Sequence, residues 1–325
     1  MAPYKIALEE HFVDPAQHDY FQILGKGRDI LDMPAFANNL AKARDVDAGR
    51  IADMDTMGIR LAILSYYNGA GVQLDPDAQR AVAKARQMND FVAERCAAYP
   101  DRFGGWAALP VQDPKAAAEE LRRCVTQLGF YGAMINGRTH GECLDLPKFL
   151  PIWETAAELK VPIYLHPGAE PVQPAADYQD YPALANIGWG WSVETGFHAL
   201  RIMSSGLFDR FPELQLVLGH MGELVPFHFG RFDQFAQTSF ARNTVHKHSL
   251  SHYVRNNVLI TTSGNLSPET LLGAMLAIGI DRILFATDYP IADGSIFNAM
   301  IEQAPISPAD KQKIFHDNSA RVFGI

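Results

Sequence analysis

The sequence is poor in the features that identify several classes of protein. It has three cysteines, Cys96, Cys124 and Cys143, an odd number without a CxxC pair, so it indicates neither a disulfide framework nor a sulfur metal site. We interpret them as small core residues of a protein in a reducing compartment. No stripe of lysine and arginine is present and the formal net charge is -9, which argues against nucleic acid as a partner.

Segments that direct a chain into or across a membrane are also lacking. No apolar run approaches the length of a membrane-spanning helix, and the start, MAPYKIALEEH, has no charged segment followed by an apolar one. We therefore expect a cytoplasmic protein without a signal peptide or a membrane partner. Apolar residues make up 48% and charged residues 20% of the chain, which is typical of a globular fold.

The sequence does contain a regular alternation of strand and helix patterns. Short apolar or β-branched runs bounded by turn residues predict eight strands, at residues 5–12, 60–68, 102–110, 130–138, 161–168, 214–222, 257–265 and 282–290. Helical patterns lie between them, several of them beginning with Asp or Ser followed by Pro and ending at Gly. They cover residues 75–99, 113–129, 148–160, 193–209, 267–279 and 307–324.

This alternation predicts a parallel sheet with its helices outside, and eight repeats are the number that forms a (β/α)8 TIM barrel. We predict one barrel domain over residues 1–325. An open doubly wound sheet is the alternative. It is disfavoured because no GxGxxG or Walker loop follows the first strand, and because polar residues end nearly all eight strands, where a barrel has its active site.

Two long connections, after predicted strands 1 and 5, lie on that same face. They cover residues 13–49 and 169–190. The second is rich in proline and aromatic residues, namely Pro171, Pro174, Tyr178, Tyr181, Pro182, Trp189 and Trp191. Long loops at this position are usually lids or binding walls, so we interpret the aromatic loop as a wall for a flat apolar ligand. A contact between subunits is the alternative.

Ionisable side chains interrupt the first strand in the stretch ALEEHF. Because side chains alternate across a strand, we expect Ala7, Glu9 and His11 to point into the barrel and Glu10 to lie against the helices. Three other predicted strands, the fifth, sixth and eighth, end with His166, His220 and Asp288.

These groups together indicate a metal site. Burying two carboxylates and several imidazoles costs several kcal/mol unless their charge is neutralised, and a divalent cation neutralises it while using both groups as ligands. Singly, a buried histidine is usually a core residue and a strand-end aspartate usually caps the next helix. Their shared position around one barrel mouth favours the metal.

Eight segments carry a resemblance that spans the chain: ALEEHF, RIADMDTMGI, PDRFGGWAALPVQDP, GAMINGR, VPIYLHP, SGLFDRFPELQLVLGHMGE, TTSGN and DRILFATDYP. They resemble the amidohydrolase superfamily, and within it the nonoxidative aromatic decarboxylases that act on γ-resorcylate, 2,3-dihydroxybenzoate, salicylate or 5-carboxyvanillate. The resemblance implies a metal-dependent decarboxylase of an ortho-hydroxybenzoate, γ-resorcylate-like or 2,3-dihydroxybenzoate-like.

The resemblance also implies roles for individual residues. Glu9, His11, His166 and Asp288 would hold one divalent ion, with His220 and Glu223 beside it, and Arg231 would meet the substrate carboxylate. Without the resemblance, Arg231 is interpreted as a surface or structural arginine on a helix. Several members have EEA where this chain has EEH, and Asn136 stands where many hydrolases have a lysine that bridges two metals, so we expect a single metal. Oxygen ligands suit Mn²⁺ or Mg²⁺, whereas imidazoles admit Zn²⁺.

Direct loss of CO2 from an aromatic ring would leave an anion in the ring plane, which the π system cannot delocalise. We therefore predict that Asp288 protonates the carbon bearing the carboxylate, and that His220, oriented by Glu223, binds a substrate oxygen or moves its proton. Predicted pocket walls, each equally interpretable as packing, are Asn136, Tyr66, Ser263, Trp189 and Trp191.

Two other functions stay open at this point. One is a metal-dependent hydrolase of a lactone or amide, in which Asp288 is the general base for water. The other is a binding or scaffold protein with a vestigial metal set. For the catalytic protein we expect a small aromatic acid as ligand and a homodimer or homotetramer as the assembly.

Overall fold

The computed structural model of this protein describes residues 4–17, 19–20, 34–67, 72–168, 180–185, 187–236 and 245–325. Parts of both predicted long connections are therefore not described. Pro171, Pro174 and Tyr178 of the predicted aromatic wall lie outside the described residues.

The strands confirm the predicted alternation. They are β1 (Lys5–Phe12), β2 (Ile59–Tyr66), β3 (Phe103–Gly105), β4 (Ala107–Ala108), β5 (Ala133–Asn136), β6 (Ile163–His166), β7 (Leu216–Leu218), β8 (Val258–Thr261) and β9 (Ile283–Leu284). The third predicted strand is divided at Trp106, because its neighbour changes there. Trp106 N donates to Leu64 O of β2 at 2.9 Å, whereas Ala107 N donates to Gly132 O, just before β5, at 2.9 Å.

All neighbouring strands are parallel, in the orders β1-β2-β3 and β4-β5-β6-β7-β8-β9. Strand β1 also forms backbone hydrogen bonds with the segment that follows β9. Leu8 N donates to Phe285 O at 3.1 Å, and His11 N donates to Tyr289 O at 2.7 Å. This arrangement is consistent with the predicted (β/α)8 barrel.

Helices connect the strands, as the alternation predicts. They are α1 (Pro34–Arg44), α2 (Ala48–Met57), α3 (Ala78–Ala98), α4 (Pro114–Leu128), α5 (Leu150–Leu159), α6 (Pro182–Ala185), α7 (Gly190–Ser204), α8 (Leu207–Arg210), α9 (Val225–Ala236), α10 (Leu250–Asn256), α11 (Pro268–Ile278), α12 (Gly294–Gln303), α13 (Pro308–Gln312) and α14 (Asn318–Phe323). None of these helices, within the described residues, is long and apolar enough to pass through a bilayer.

The helix starts follow the chemistry that the sequence predicts. Asp113 accepts a hydrogen bond from Ala116 N with Pro at the start of α4, and Ser267 and Ser307 cap α11 and α13 in the same way. These oxygens satisfy backbone N–H groups that have no partner within the helix. The predicted helix at 193–209 is divided into α7 and α8 at Gly206, which has φ +79°.

Two apolar layers hold the barrel. An inner cluster is formed by Ile6, Leu8, Leu61, Ile63, Trp106, Met134, Tyr164, Val217, Leu259, Leu284 and Ala286. A larger outer cluster fills the space between sheet and helices and contains Ala7, Leu64 and Ile135. The expectation that Ala7 points inward is therefore wrong, because the inward side of β1 up to that point belongs to Ile6 and Leu8.

Candidate metal centre and active site

A bulge in β1 brings Glu9 and His11 to the interior. The pairing of β1 with β2 shifts register between Ala7 and Glu10. A bulge adds a residue and changes which side of the strand the following side chains face. Leu8 and Glu9 thus lie on the inner side in succession, while Glu10 faces outward and accepts a hydrogen bond from Thr287 Oγ1 at 2.7 Å. Burial raises the pKa of Glu10 to about 8.

The predicted ligands His166 and Asp288, and His220, which was predicted beside the metal, come from the carboxyl ends of β6, β9 and β7. His166 is the last residue of β6, whereas His220 and Asp288 follow β7 and β9 in left-handed backbone conformations, with φ of 50° and 59°. Met221, Glu223 and Leu224 are also left-handed. Side chains with a Cβ rarely adopt this conformation, and such strain is concentrated at functional sites.

These side chains converge on one point although they are far apart in sequence. Glu9 Oε1 lies 3.0 Å from His166 Nε2 and 3.2 Å from His220 Nε2. His11 Nε2 lies 3.3 Å from Asp288 Oδ1 and 4.0 Å from Glu9 Oε1. One ligand atom each from Glu9, His166, His220 and Asp288 all fall within 4.8 Å of one another.

Each histidine turns its Nε2 atom towards the carboxylates because its Nδ1 atom has an oxygen partner. Nδ1 lies 2.9 Å from Ser65 Oγ in His11, 3.0 Å from Pro167 O in His166 and 2.5 Å from Glu223 Oε1 in His220. A carbonyl or carboxylate only accepts, so Nδ1 of His166 and of His220 carries the proton. Histidines that bind metals are commonly held in this way.

The two oxygens of Glu9 have different surroundings. Oε2 accepts hydrogen bonds from Ser263 Oγ at 2.5 Å, from Thr261 Oγ1 at 3.4 Å and from the Tyr164 hydroxyl. Oε1 faces the Nε2 atoms of His166 and His220 instead. Hydroxyl groups therefore fix the carboxylate by one oxygen and direct the other to the centre of the cluster.

The charges of the cluster also suit a cation. Burial raises the pKa of Glu9, but His220 and His166 outweigh it and lower the pKa well below its usual value. For Asp288, hydrogen bonds from His11 and His220 likewise outweigh burial and lower the pKa. Burial lowers the pKa of His220, but Glu223 and Glu9 raise it well above its ordinary value. Two buried anions thus attract positive charge to this point.

These observations fit a divalent metal ion. Carboxylate oxygens of Glu9 and Asp288 and imidazole nitrogens converge here, and these are atom types that divalent metal ions use as ligands. Two carboxylates balance the charge of such an ion. The four residues whose ligand atoms lie within 4.8 Å of one another include His220, which was predicted beside the metal rather than as a ligand. His11, a predicted ligand, has its Nε2 atom 3.3 Å from Asp288 Oδ1 and 4.0 Å from Glu9 Oε1. Which histidines ligate stays a prediction.

A cavity of about 360 Å³ opens beside the cluster. His220, Glu223 and Asp288 line one side of it, and its apolar walls are Ile187, Trp189, Trp191, Ile291 and Phe297. The two predicted tryptophans therefore line the cavity that opens beside the cluster. Trp189 is 46% exposed, so it forms the outer rim.

The other predicted substrate-binding and pocket residues are not in the described lining of this cavity. Ser263 holds Glu9. Tyr66 and Asn136 line a separate small cavity of about 10 Å³ between the strands, and the described lining of the larger cavity does not include them. Arg231 is exposed on α9, with its guanidinium 5.4 Å from the centre of the Phe235 ring. The substrate-binding roles of these three residues stay predictions.

Sequence reasoning missed several residues that shape the site. Tyr164 lies two residues before His166 on β6, so strand periodicity places both on the same side. Gly264 has φ +63°, and a Cβ there would lie 2.1 Å from His220 Cδ2, so only glycine leaves room for the imidazole. Asn265, in the same TTSGN segment, lines the cavity.

Known proteins share this fold over its whole length. γ-Resorcylate decarboxylase of Rhodococcus jostii (strain RHA1) is 40% identical over 329 residues, which cover 98% of each chain. A crystal structure of 2,6-dihydroxybenzoate decarboxylase complexed with 2,6-dihydroxybenzoate has a TM-score of 0.90 and 39% identity, covering 99% of this chain and 100% of that one. Dihydroxybenzoic acid decarboxylase of Polaromonas sp. JS666, with bound manganese and the inhibitor 2-nitroresorcinol, also has a TM-score of 0.90 and 39% identity, covering 99% and 97%.

The resemblance inferred from the eight sequence segments is thus confirmed. A model of the family described as Amidohydrolase matches residues 40–325. The chain belongs to the amidohydrolase family.

Proposed function

We propose that this protein is a metal-dependent carboxy-lyase that removes CO2 nonoxidatively from an ortho-hydroxybenzoate, most readily a dihydroxybenzoate of the γ-resorcylate type. The observation that carries the proposal is the convergence of Glu9, His166, His220 and Asp288 beside a cavity with aromatic walls. The full-length similarity to γ-resorcylate decarboxylases supports this reaction rather than another of the same fold.

The cofactor is one divalent ion per subunit, and the manganese bound in a related structure supports Mn²⁺ as the first choice over Zn²⁺ or Mg²⁺. Glu9, His166 and Asp288 are its proposed ligands, with His11 as the fourth and His220 as the competing candidate. The ion would supply positive charge that holds the phenolate and carboxylate oxygens of the substrate. Metal content of the His11→Ala and His220→Ala variants distinguishes the two histidines, because the true ligand is the one whose loss weakens retention.

Asp288 is the proposed proton carrier. Its carboxylate accepts the proton of the ortho hydroxyl and then delivers it to the ring carbon that bears the carboxylate. The bond from that carbon to the carboxylate breaks, its electron pair restores the aromatic ring, and CO2 leaves. His220, fixed by Glu223, donates a hydrogen bond to a substrate oxygen, and the product regains its phenol proton from solvent.

A panel of ortho-hydroxybenzoates tests this proposal. The protein is treated with a chelator, reloaded with Mn²⁺ and assayed for loss of substrate absorbance and for release of CO2. We expect turnover of 2,6- or 2,3-dihydroxybenzoate and none of 3,5-dihydroxybenzoate, which lacks an ortho hydroxyl. Uptake of water into the product without CO2 release would instead identify a hydrolase.

We also propose that the protein forms a homodimer or homotetramer. Three phenylalanines of α9 are exposed, Phe227 by 45%, Phe232 by 39% and Phe235 by 43%, and Phe197 of α7 is 47% exposed. Exposed apolar patches of this kind usually mark contacts between proteins. Arg231 is exposed on the same helix and outside the described lining of the cavity, so we propose that it meets a substrate carboxylate bound by a second copy of the chain. A Phe232→Ser and Phe235→Ser double variant should sediment as a smaller species than the parent protein.

The cellular location is proposed to be the cytoplasm. Cys96, Cys124 and Cys143 are all free thiols. Burial raises the pKa of each of them, so they suit packing rather than reactivity. Fractionation of the producing cells tests the location.

A further inference from the structure

We propose that Asn265 determines substrate specificity by donating a hydrogen bond from its amide to a second oxygen substituent on the ring. The substrate class is then a benzoate with the reacting ortho hydroxyl and a further oxygen substituent. This inference rests on the proposed decarboxylase function and adds to it a residue that selects among acids of the same type.

The backbone holds Asn265 next to the metal cluster. Ser263, two residues earlier, donates to Glu9 Oε2 at 2.5 Å. Gly264 passes so close to His220 that a Cβ would lie 2.1 Å from its ring. Asn265 follows directly and lines the cavity together with His220 and Asp288.

A local hydrogen bond fixes which end of the amide is the oxygen and leaves the other end as a donor. Ser267 N lies 3.1 Å from Asn265 Oδ1. A backbone N–H can only donate, so this end of the side chain must be the oxygen. The Nδ2 group, which only donates, has no hydrogen-bond partner among the residues that the structure describes. Asn265 is half-buried, so a bound ring that leaves this group unpaired costs free energy.

The remaining polar lining makes Asn265 selective. His220, Glu223 and Asp288 belong to the metal cluster, which leaves the Ser192 hydroxyl, the Asn265 amide and the indole N–H groups of Trp189 and Trp191 as neutral polar groups in the described lining. A serine hydroxyl both donates and accepts, so it discriminates poorly. The amide N–H of Asn265 requires an acceptor, such as a phenol or phenolate oxygen. A site built to bond such an oxygen disfavours the analogue that lacks it.

Two substitutions test the proposal with different effects on the loop. Asn265→Ala removes both ends of the amide. Asn265→Ser keeps an oxygen that can accept from Ser267 N and removes the Nδ2 donor. Ser192→Ala is the matched control for a neutral polar residue of the same cavity, and thermal unfolding of all three variants checks that they fold.

The experiment compares 2,6-dihydroxybenzoate with 2-hydroxybenzoate, each as substrate and as competitive inhibitor of the other, on the Mn²⁺-loaded enzyme. We expect both Asn265 variants to lose about tenfold in kcat/KM for 2,6-dihydroxybenzoate, through KM, which is the effect of one hydrogen bond of about 1.4 kcal/mol. Binding of 2-hydroxybenzoate should change less than about twofold, which is well below that hydrogen-bond effect. Ser192→Ala should leave the ratio between the two acids unchanged.

The outcomes separate this inference from the proposed function. If the ratio of kcat/KM between the two acids is unchanged in both Asn265 variants, whether both values fall equally or neither falls, the role of Asn265 is overturned while decarboxylation stands. Failure of the unaltered enzyme to release CO2 from any acid of the panel would overturn the proposed function itself.

Discussion

At the scale of single residues, the site divides its tasks between atoms of one side chain. Glu9 Oε2 accepts hydrogen bonds from the hydroxyls of Ser263, Thr261 and Tyr164, whereas Oε1 faces the imidazoles. Tyr164 is fully buried, and among the residues that the structure describes its hydroxyl bonds to Glu9 and Thr261, so its contribution is to hold this carboxylate. Partners of this kind orient a ligand without touching the metal.

Tyr164→Phe should therefore weaken metal binding. We expect the Mn²⁺ dissociation constant to rise about 10- to 100-fold, as for other losses of a group that orients a metal ligand, with the fold retained. Competition with a chelator measures the constant. Tyr131→Phe, which alters a half-buried tyrosine that packs on Phe323 away from the cluster, is the control. Equal affinities in the parent protein and the Tyr164 variant would contradict this role.

Asp288→Asn should abolish turnover. General acid-base groups contribute about 10²- to 10⁴-fold to a rate, and asparagine cannot carry the proton from hydroxyl to ring carbon. The fold should survive because asparagine tolerates the left-handed backbone, φ 59°, at this position. Steady-state rates at saturating Mn²⁺, with circular dichroism as a check on folding, measure the effect. A metal-loaded variant with near-normal kcat would refute the assignment.

At the scale of elements, the residue pattern of the sequence predicts where strands and helices lie, whereas the pairing between strands determines which way their side chains face. The apolar runs of the sequence predict every strand, and Asp or Ser before Pro predicts where α4, α11 and α13 begin. The bulge in β1 could not be predicted, because it depends on how β1 pairs with β2 rather than on its own residues. For the same reason Ala7 was expected on the wrong side. Helix α1 falls inside the predicted loop 13–49, since few of its residues are large and apolar.

Helix α7 is fastened to the loop after β5 by a buried histidine. His198 Nε2 accepts a hydrogen bond from Leu144 N at 2.7 Å, and burial lowers the pKa of His198 to about 3. In the unfolded chain the pKa of histidine is about 6.5. The unfolded chain therefore takes up a proton below that pH that the folded chain does not. The contribution of neutral His198 to stability is complete above about pH 6.5 and is lost as the pH falls towards about 3.

His198→Gln should flatten this dependence, because the amide oxygen can accept from Leu144 N without titrating. We expect the urea midpoint of the parent protein to fall more steeply between pH 6.5 and 4 than that of the variant. His252→Gln, an exposed histidine of α10, is the control and should follow the parent protein. Parallel curves for the parent protein and His198→Gln would exclude this source of acid sensitivity.

At the scale of the whole molecule, the cluster joins the first strand to the last. Glu9 and His11 come from β1, and Asp288 follows β9, so an ion bound as we propose would connect the two ends of the barrel. The sequence predicts this convergence because the carboxyl ends of parallel strands meet at one face. It does not predict the cavity walls or the exposure of Arg231, because these depend on how loops and helices pack.

Removal of the metal should thus reduce both activity and stability. Chelation should abolish turnover and lower Tm, and Mn²⁺ added at 100 times its dissociation constant should restore about 2.7 kcal/mol of unfolding free energy. Calorimetry and metal analysis measure the recovery, with about one ion per subunit expected from a structural or catalytic site of this kind. Glu9→Gln is the control and should show little stabilisation by Mn²⁺. Full activity of the chelated protein would contradict the proposal.

The close contact of Gly264 with His220 restricts which positions can be mutated to change the substrate specificity of this enzyme. Its left-handed backbone and its contact with the His220 ring leave no alternative amino acid at that site. A combinatorial library for new specificity should keep codon 264 invariant and diversify Ile187, Ile291 and Phe297 around it. Clones with a mutated codon 264 should vanish from the selected pool whatever acid is used for selection.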